Sequence, residues 1–297
     1  MSFVRWRRKR ITRFKRSPLR FVAESVFIPF FFLGPLLYPA NNALTVSEYD
    51  VASGRLPDAF DGYVVVQVSD LHCKEFGPRN DRLIAAIERE KPDLIVVTGD
   101  LLDCRHFKLD VIRTLITRLV ELAPVYYVVG NHEADLSQEY FDEVVDLVQD
   151  SGATALLGEQ TRIERGADHI ALAGVREPFF TEPYVEKVDA QLRALTDDAA
   201  DEFRILLSHR PEALPLYAKH RFDLVFAGHA HGGQFRIPWL CPNGLNAPGQ
   251  GWFPKLTAGV HVDGPTTLVI SRGLGPSVIP TRLWNRPDLV VCRLHKS

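Results

Sequence analysis

Carboxylate, imidazole and amide side chains recur in five short segments of the sequence, and each segment directly follows an apolar run. Half of the ten histidines lie in these segments. Such groups, without cysteine, suit a borderline divalent cation such as Mn, Fe, Zn or Co. The five segments are Ser69-Asp70-Leu71-His72, Thr98-Gly99-Asp100 with Asp103, Gly130-Asn131-His132-Glu133, Ser208-His209 and Gly228-His229-Ala230-His231.

The number of candidate ligands favours two ions over one. Sharing of Asp100 between the two ions is the simplest account of the set. Two ions roughly 3.5–4 Å apart can share a hydroxide and stabilise both the attacking and the leaving oxygen of an in-line phosphoryl displacement. Gly99, Gly130 and Gly228 are expected to let the backbone turn sharply beside the ions.

The apolar runs predict the elements that must position these side chains. Strands and helices alternate in the first half, which predicts crossover units and parallel pairing there. Carboxyl ends of such strands line the ligand crevice of open α/β sheets, so the five segments should meet at one rim. Residues 236–265, rich in Pro and Gly, are predicted to form a long ordered loop. The predicted strands are 63–68, 94–97, 125–129, 170–175, 204–207, 224–227, 267–270 and 289–291, and the predicted helices are 80–90, 109–122, 141–148 and 183–195.

Composition excludes several classes of protein. Hydrophobic residues make up 46% of the 297 residues and charged residues 24%, which excludes a disordered, collagen-like or multi-span membrane chain. Four cysteines without CxxC spacing exclude a disulfide scaffold and a cysteine zinc site. No internal repeat or low-complexity linker interrupts the chain, so residues 44–297 are predicted to form one α/β domain.

Charge is distributed unevenly along the chain. The first 20 residues hold nine basic and no acidic residues, which leaves 26 basic against 37 acidic residues in the remainder. Because phosphate neutralisation by basic residues supplies most of the affinity for nucleic acid, the acidic body disfavours a nucleic-acid partner.

Residues 1–43 are predicted to be a basic arm followed by an apolar membrane anchor. The apolar stretch 21–40 is just long enough to span a bilayer, but Pro29 and Pro35 should kink or break a helix there. Three interpretations remain open: a kinked anchor helix, an element lying in the lipid interface, and a cleaved export signal with a poor cleavage site. A charged tail plus a buried helix of the domain is the disfavoured alternative.

The five segments together resemble the calcineurin-like metallophosphoesterase superfamily, whose pattern D-x-H, G-D-x-x-D, G-N-H-E, H and G-H-x-H is complete here. Segments 231–238 and 271–276 resemble a bacterial, often membrane-associated branch that includes general phosphodiesterases and a UDP-2,3-diacylglucosamine pyrophosphatase. The resemblance implies a two-sheet β-sandwich flanked by helices, within the α/β class.

The resemblance also implies roles for single residues. His132 would face the scissile phosphate and stabilise the transition state or protonate the leaving oxygen, with Asp103 orienting it. A hydroxide bridging two divalent ions, with Mn²⁺ the expected metal, would attack phosphorus. The first ion would be held by Asp70, His72, Asp100 and His231, and the second by Asp100, Asn131, His209 and His229.

Other residues carry weaker expectations. Arg210, Arg79 and Arg272 are candidates for binding a substrate phosphate, although a surface ion pair is the favoured explanation of Arg210. Cys73 and Cys104 are expected to be small buried residues. The aromatic loop 239–253 is expected either to cover an acyl chain or to pack as a lid.

The leading functional hypothesis is a membrane-associated dinuclear-metal hydrolase that cleaves a phosphodiester or pyrophosphate, with a lipid-linked substrate such as UDP-2,3-diacylglucosamine. An exported general phosphodiesterase is the alternative within the class. A non-catalytic metal-binding membrane scaffold is the alternative from another class, and a zinc peptidase is disfavoured because no HExxH segment occurs. The expected location is the bacterial inner membrane; the cysteines lean towards its cytoplasmic face, whereas the positive-inside rule would place the domain outside.

Overall fold

The computed structural model describes residues 41–103, 107–196, 202–276 and 280–297. The predicted basic arm and almost all of the predicted anchor therefore lie outside the described residues. Within those four ranges, no helix is both long and apolar enough to cross a membrane.

Strands and helices alternate over the first half of the described chain, as the apolar runs predicted. The strands are β1 Thr45–Ser53, β2 Val64–Val68, β3 Leu94–Thr98, β4 Val125–Val128, β5 Thr154–Ala155, β6 Glu159–Arg165, β7 Asp168–Gly174, β8 Arg204–Leu207, β9 Leu224–Ala227, β10 Asn246–Ala247, β11 Gly251–Trp252, β12 Gly259–Asp263, β13 Thr266–Ile270 and β14 Asp288–Lys296. The helices are α1 Asp81–Glu90, α2 Leu109–Val120, α3 Asn131–Ala134, α4 Gln138–Asp150, α5 Tyr184–Thr196 and α6 Leu214–Lys219.

Two six-stranded sheets, both mixed, form the centre of the fold. The first has the order β1-β14-β2-β3-β4-β5, in which β2 to β5 pair in parallel and β14 runs antiparallel to β2. The second has the order β12-β13-β9-β8-β7-β6, with parallel pairing from β13 to β7 and an antiparallel strand at each edge. The predicted parallel pairing and the implied mixed sheets are confirmed.

The sheets pack face to face, and helices cover their outer faces. Strand β2 shows why the sequence folds this way: alternate residues of a strand point to opposite faces, so Val65 packs between the sheets while Val64 and Val66 pack under the helices. Helices α1, α2 and α4 bury their apolar stripes on the first sheet. Helices α5 and α6 do the same on the second, for example through Leu192 and Tyr217.

Several strands were not predicted from the apolar runs of the sequence. Strand β6 is an edge strand with the sequence EQTRIER, and five of its seven residues are exposed. It therefore contains no apolar run that would predict a strand. The segment 236–265, predicted to be one loop, contains the β10–β11 hairpin and the edge strand β12. That prediction was wrong because an edge strand needs only backbone pairing on one side, here with β13, and little apolar burial.

Candidate metal centre

Strands from both sheets bring the predicted ligands to one rim. All the carboxylate and imidazole ligands are buried, and Asn131 is half-buried. The first sheet supplies Asp70 and His72 after β2, Asp100 after β3 and Asn131 after β4, and the second supplies His209 after β8 and His229 and His231 after β9.

These side chains form two groups that share Asp100. In each group, one ligand atom from every member lies within 4.8 Å of the others. The members match the two sets that the resemblance implied, apart from the amide of Asn131, whose Oδ1 lies 3.1 Å from Nε2 of His209. One group is Asp70, His72, Asp100 and His231, and the other is Asp100, His209 and His229.

The geometry of the ring nitrogens fits bound cations. Nε2 of His72 faces Nε2 of His231 at 3.2 Å, and Nδ1 of His229 faces Nε2 of His209 at 3.2 Å. Two facing ring nitrogens share at most one proton, so each pair leaves a lone pair directed into its group. The Asp100 carboxylate lies between the pairs, with Oδ2 3.7 Å from His72 Nε2 and 3.3 Å from His209 Nε2.

Electrostatics favour the neutral, metal-binding form of three of the four histidines. Burial lowers the pKa of His72 to about 4 and places the pKa values of His229 and His231 well below the ordinary range, so these imidazoles are neutral, as metal ligands must be. Burial also acts to lower the pKa of His209, but the Asp100 and Asp70 carboxylates outweigh it and raise that pKa to about 10. The carboxylates thus hold a positive charge at His209, which a divalent cation would replace.

Five ligands stand on strained backbone. A positive φ of this size is uncommon outside glycine and costs on the order of 1–3 kcal/mol per residue, so it persists only where the surroundings impose it. Such strain concentrates at functional sites. The five are Asp70 (φ 51°), His72 (φ 49°), Asp100 (φ 53°), His229 (φ 65°) and His231 (φ 46°).

Glycines make room for the ligands. Gly99 has φ 87° and turns the chain sharply, as expected. Gly130 and Gly228 have no positive φ, so the expectation of a sharp turn was wrong for them; they are needed for space. A Cβ on Gly130 would overlap the Asp100 carboxylate, and one on Gly228 would overlap the Asp70 carboxylate.

Glu133 ties two of the loops together. Its buried carboxylate accepts hydrogen bonds from the backbone N–H groups of Gly130 (2.8 Å), Asp100 (2.9 Å) and Leu102 (3.2 Å). Burial, followed by the Asp100 charge, raises the pKa of Glu133 to about 6. Glu133 belongs to one of the five sequence segments, but no role was predicted for it; an acidic residue in the first turn after a buried strand was the available signal.

Polar side chains between the sheets position Asp70. Ser69 Oγ donates to Asp70 Oδ2 at 2.6 Å, and Thr98 Oγ1 donates to Ser69 Oγ at 2.8 Å. Gln67 Nε2 donates both to Thr98 Oγ1 (2.8 Å) and, across the gap between the sheets, to the Ala227 carbonyl (2.9 Å). This buried chain of hydrogen bonds fixes the loops from both sheets relative to one another.

The outer nitrogen of His209 also has a partner. Nδ1 of His209 donates to the Thr98 carbonyl at 2.8 Å, so Nε2 is the atom directed at the cluster. A partner of this kind orients a metal-binding imidazole. In His229, Nδ1 is the atom that faces His209, and the outer Nε2 lies 3.9 Å from Oε1 of Glu212, beyond hydrogen-bond distance. Glu212 was not predicted from the sequence, because it stands 17 residues before His229.

His231 rests on residues from the distant segment 280–287. Asn285 Nδ2 donates to the His231 carbonyl at 2.6 Å. The Arg282 guanidinium, fully buried, lies 3.2 Å from His231 Nδ1 and donates to the Gly275 carbonyl at 2.6 Å. Burial lowers the pKa of Arg282 to about 10, so this group still carries its charge at neutral pH, behind the Asp70 side of the centre.

His132 lies beside the first group but outside both. Its ring centroid is 4.7 Å from that of His72, and its backbone N–H donates to Asp100 Oδ1 at 2.9 Å. Its Nδ1 lies 3.9 Å from Asp103 Oδ1, and the side chain is 18% exposed. The imidazole therefore stands where the site opens to solvent, with Asp103 behind it.

The three candidate arginines are placed differently. Arg210, directly after His209, forms an ion pair with the buried Glu177 and lies over the Tyr184 ring. Arg272 is bound to Asp288, with Nη2 2.9 Å from Oδ1, and Asp288 belongs to neither ligand group. Arg79 lies in the short turn before α1, where its carbonyl accepts from Arg118. Only Arg210 is held next to a candidate ligand.

The two cysteines near the centre complete the set of predicted residues. Cys73 is buried, as expected, and burial raises the pKa of its thiol. Cys104 lies outside the described residues.

Comparison with known proteins gives consistent matches. A model of the family described as calcineurin-like phosphoesterase matches residues 63–233. The metallophosphoesterase YkuE of Bacillus subtilis is 28% identical over 268 residues, which cover 88% of each chain. The phosphodiesterase YaeI of Escherichia coli is 25% identical over 78% of this chain and 82% of its own. A metallophosphoesterase of Campylobacter jejuni is 31% identical over 87% of this chain and 66% of its own.

Proposed function

Because the chain belongs to the calcineurin-like phosphoesterase family, we propose that it is a membrane-associated dinuclear-metal hydrolase that cleaves a phosphodiester or a pyrophosphate. The observation that carries this proposal is the sharing of Asp100 by two groups of buried ligands. A single ion would need only one of the groups. Two adjacent groups that share one carboxylate suit phosphoryl transfer by two ions.

The chain's own residues supply the ligands and the scaffold. When bound, two divalent ions supply a nucleophilic hydroxide at neutral pH and neutralise charge on the phosphoryl oxygens. Mn²⁺ is the proposed metal because the donors are carboxylate, imidazole and amide groups. The ligands would be Asp70, His72, Asp100 and His231 for one ion, and Asp100, Asn131, His209 and His229 for the other.

His132 is proposed to act on the leaving group. It is excluded from both ligand groups, yet its ring lies against His72 and reaches solvent. An imidazole in that place can donate a proton to the leaving oxygen or stabilise its charge. Asp103, 3.9 Å from Nδ1, would hold the ring with Nε2 directed outward.

Arg210 is proposed to bind a substrate phosphate. Its guanidinium is anchored through Nε by Glu177, and its side chain is 22% exposed, so the group is both fixed and accessible. A planar guanidinium can bind phosphate oxygens in a bidentate manner. Arg272 and Arg79 lack a comparable position next to a ligand, which leaves Arg210 as the preferred candidate of the three.

The proposed substrate is lipid-linked, such as UDP-2,3-diacylglucosamine. Support comes from the sequence: a basic arm and an apolar stretch precede the domain, and they would hold it at the inner membrane, where such molecules lie. An exported general phosphodiesterase is the second candidate, supported by the similarity to the phosphodiesterase YaeI. A non-catalytic scaffold is less well supported, because every ligand position carries a side chain that can bind metal.

The test uses full-length protein in detergent micelles with Mn²⁺. Release of UMP from UDP-2,3-diacylglucosamine is measured beside hydrolysis of a chromogenic phosphodiester. UMP release that a chelator abolishes would support the lipid-linked substrate and the cytoplasmic face. Hydrolysis of the chromogenic diester alone would favour the exported or general phosphodiesterase. Metal binding without turnover of either substrate would favour the scaffold. His261→Asn, in a histidine outside the site, is the matched control.

A further inference from the structure

Five large apolar side chains lie exposed on two segments that border the metal centre, and we call them the aromatic rim. Monomeric soluble proteins rarely expose such a set together, and clusters of this kind mark surfaces for a partner or a membrane. The rim consists of Trp239 (85% exposed), Leu240 (65%), Trp252 (70%), Phe253 (63%) and Trp284 (49%).

Backbone hydrogen bonds hold the rim together. The N–H groups of Leu240 and Cys241 both donate to the Ile237 carbonyl, which closes the turn that carries Trp239. The Phe253 N–H donates to Leu245 at 2.9 Å, and the Leu245 N–H donates to Gly233 at 2.8 Å. These bonds fix the hairpin that bears Trp252 against the segment leading out of the metal centre.

The second segment is bound to the first. The Arg236 N–H donates to the Leu283 carbonyl at 2.9 Å, and Phe235 pairs with Leu283, so Trp284 lies beside the turn. Asn285, the next residue, binds the carbonyl of the candidate ligand His231. The rim is therefore continuous with the wall of the metal centre.

Charge around the rim differs from that of the domain. Residues 234–262 contain no Asp or Glu and contain Arg236 and Lys255, and residues 280–287 contain Arg282 and Arg286 with no acid. The chain beyond its first 20 residues is acidic as a whole. Exposed Lys255 and Arg286 beside exposed aromatic groups complement an anionic surface with an apolar interior.

The predicted anchor joins the domain at the same place. The described chain begins at Asn41, whose Oδ1 accepts the Arg282 backbone N–H at 2.9 Å. The Asn41 carbonyl also accepts from Lys74. In the sequence, the apolar stretch 21–40 directly precedes Asn41, and Asn41 contacts Arg282, two residues before Trp284 of the rim.

We propose that the aromatic rim docks on an anionic phospholipid surface and so directs the opening of the metal centre towards lipid-linked substrate. Tryptophan and phenylalanine side chains settle at the boundary between headgroups and acyl chains, and neighbouring basic groups bind anionic headgroups. The docking does not depend on the anchor; its consequence for catalysis rests on the function proposed above. A covering of the rim by residues 21–40 or by a second copy of the chain is the alternative that the experiment must separate.

The tryptophans of the chain permit a direct test. There are four, and three of them belong to the rim, the fourth being Trp6 in the basic arm. In full-length Trp6→Phe protein, fluorescence therefore reports the rim alone, even when the anchor also binds lipid. The protein is added to vesicles of phosphatidylcholine and phosphatidylglycerol, with or without bromine on the acyl chains near the headgroup.

Docking predicts a blue shift and quenching by about twofold in the brominated vesicles, since an interfacial side chain lies about 5–10 Å deep. Three results would overturn the proposal: no sedimentation with vesicles, sedimentation without quenching, or a blue shift that bromine does not affect. The last would show that protein covers the rim.

A control reporter guards against general burial of the protein in lipid. Tyr140→Trp is placed in a chain whose four tryptophans are changed to Phe; Tyr140 is half exposed and stands on α4, which covers the first sheet. It should not be quenched, and quenching there as strong as at the rim would contradict specific docking. Hydrolysis of a soluble chromogenic diester by the Trp6→Phe protein is measured in parallel. Absence of quenching together with normal hydrolysis would refute the docking and leave the proposed function intact. Quenching without hydrolysis would refute the proposed function and leave the docking intact.

Discussion

The buried carboxylate of Glu133 accepts the backbone N–H of Asp100 at 2.9 Å. The same oxygen accepts the N–H of Gly130, which precedes Asn131. One carboxylate therefore fixes the candidate ligand Asp100 and the loop that carries the candidate ligand Asn131. It holds the loops that follow β3 and β4 against each other.

Glu133→Ala should weaken metal binding and destabilise the protein. The change leaves three buried N–H groups without an acceptor, and each such group costs about 1–3 kcal/mol. Loss of a group that orients ligands typically lowers metal affinity by about 10–100-fold. Isothermal titration with Mn²⁺ and urea unfolding check both effects. Glu133→Gln, which keeps one carbonyl oxygen, should be affected less; equal effects of the two changes would contradict this role.

Metal content should distinguish the shared ligand from the others. Asp100→Ala removes a ligand from both groups and should lower the content from two ions per chain to below one. His229→Ala and His72→Ala each affect one group and should leave about one ion. Elemental analysis of protein dialysed against metal-free buffer measures this, with His261→Ala as the control that keeps two. Retention of two ions by Asp100→Ala would show that this carboxylate does not bridge.

His132→Ala should separate catalysis from metal binding. The ring lies outside both ligand groups, so two ions should remain bound. General acid catalysis contributes about 10²–10⁴-fold, and kcat on a chromogenic diester should fall within that range. Asp103→Asn should lower kcat less and leave KM unchanged, because it acts through His132. Normal turnover by His132→Ala would remove this residue from the proposed chemistry.

Stability should depend on Asp189 at neutral pH. Hydrogen bonds from Lys219 and His220 hold the pKa of Asp189 below its ordinary range. A depressed carboxylate pKa stabilises the fold above the unfolded pKa of about 3.9, and this contribution disappears as the pH falls through the folded pKa. Asp189→Asn should therefore lower the urea midpoint at pH 7, with a smaller difference at pH 3. A difference that stays constant over this range would contradict the assignment.

Much of the fold could be predicted because the strands that support the centre are short, buried and rich in Val, Ile and Leu. Strand β3, for example, is an uninterrupted apolar run that ends at Thr98, and the chemistry begins two residues later at Asp100. Strand β6 and the edge strand β12 could not be predicted in this way. Their residues are exposed or polar, and their place depends on backbone pairing with β7 and β13.

The same contrast applies to the centre. Ligands such as His229 and His231 stand in a local motif, so their types and spacing were visible in the sequence. Arg282 was not, because it contacts a candidate ligand across a long stretch of chain: Arg282 lies 51 residues after His231. Such contacts arise only when the loops of both sheets come together at the metal centre.

The central claim is that this chain hydrolyses phosphoesters with two ions that share Asp100. The most direct test titrates metal-free protein with Mn²⁺ while hydrolysis of a chromogenic phosphodiester and the bound metal are measured together. We predict that activity rises until two ions are bound per chain and that a chelator reverses it. Full activity with one bound ion, or activity that is indifferent to metal, would contradict the account.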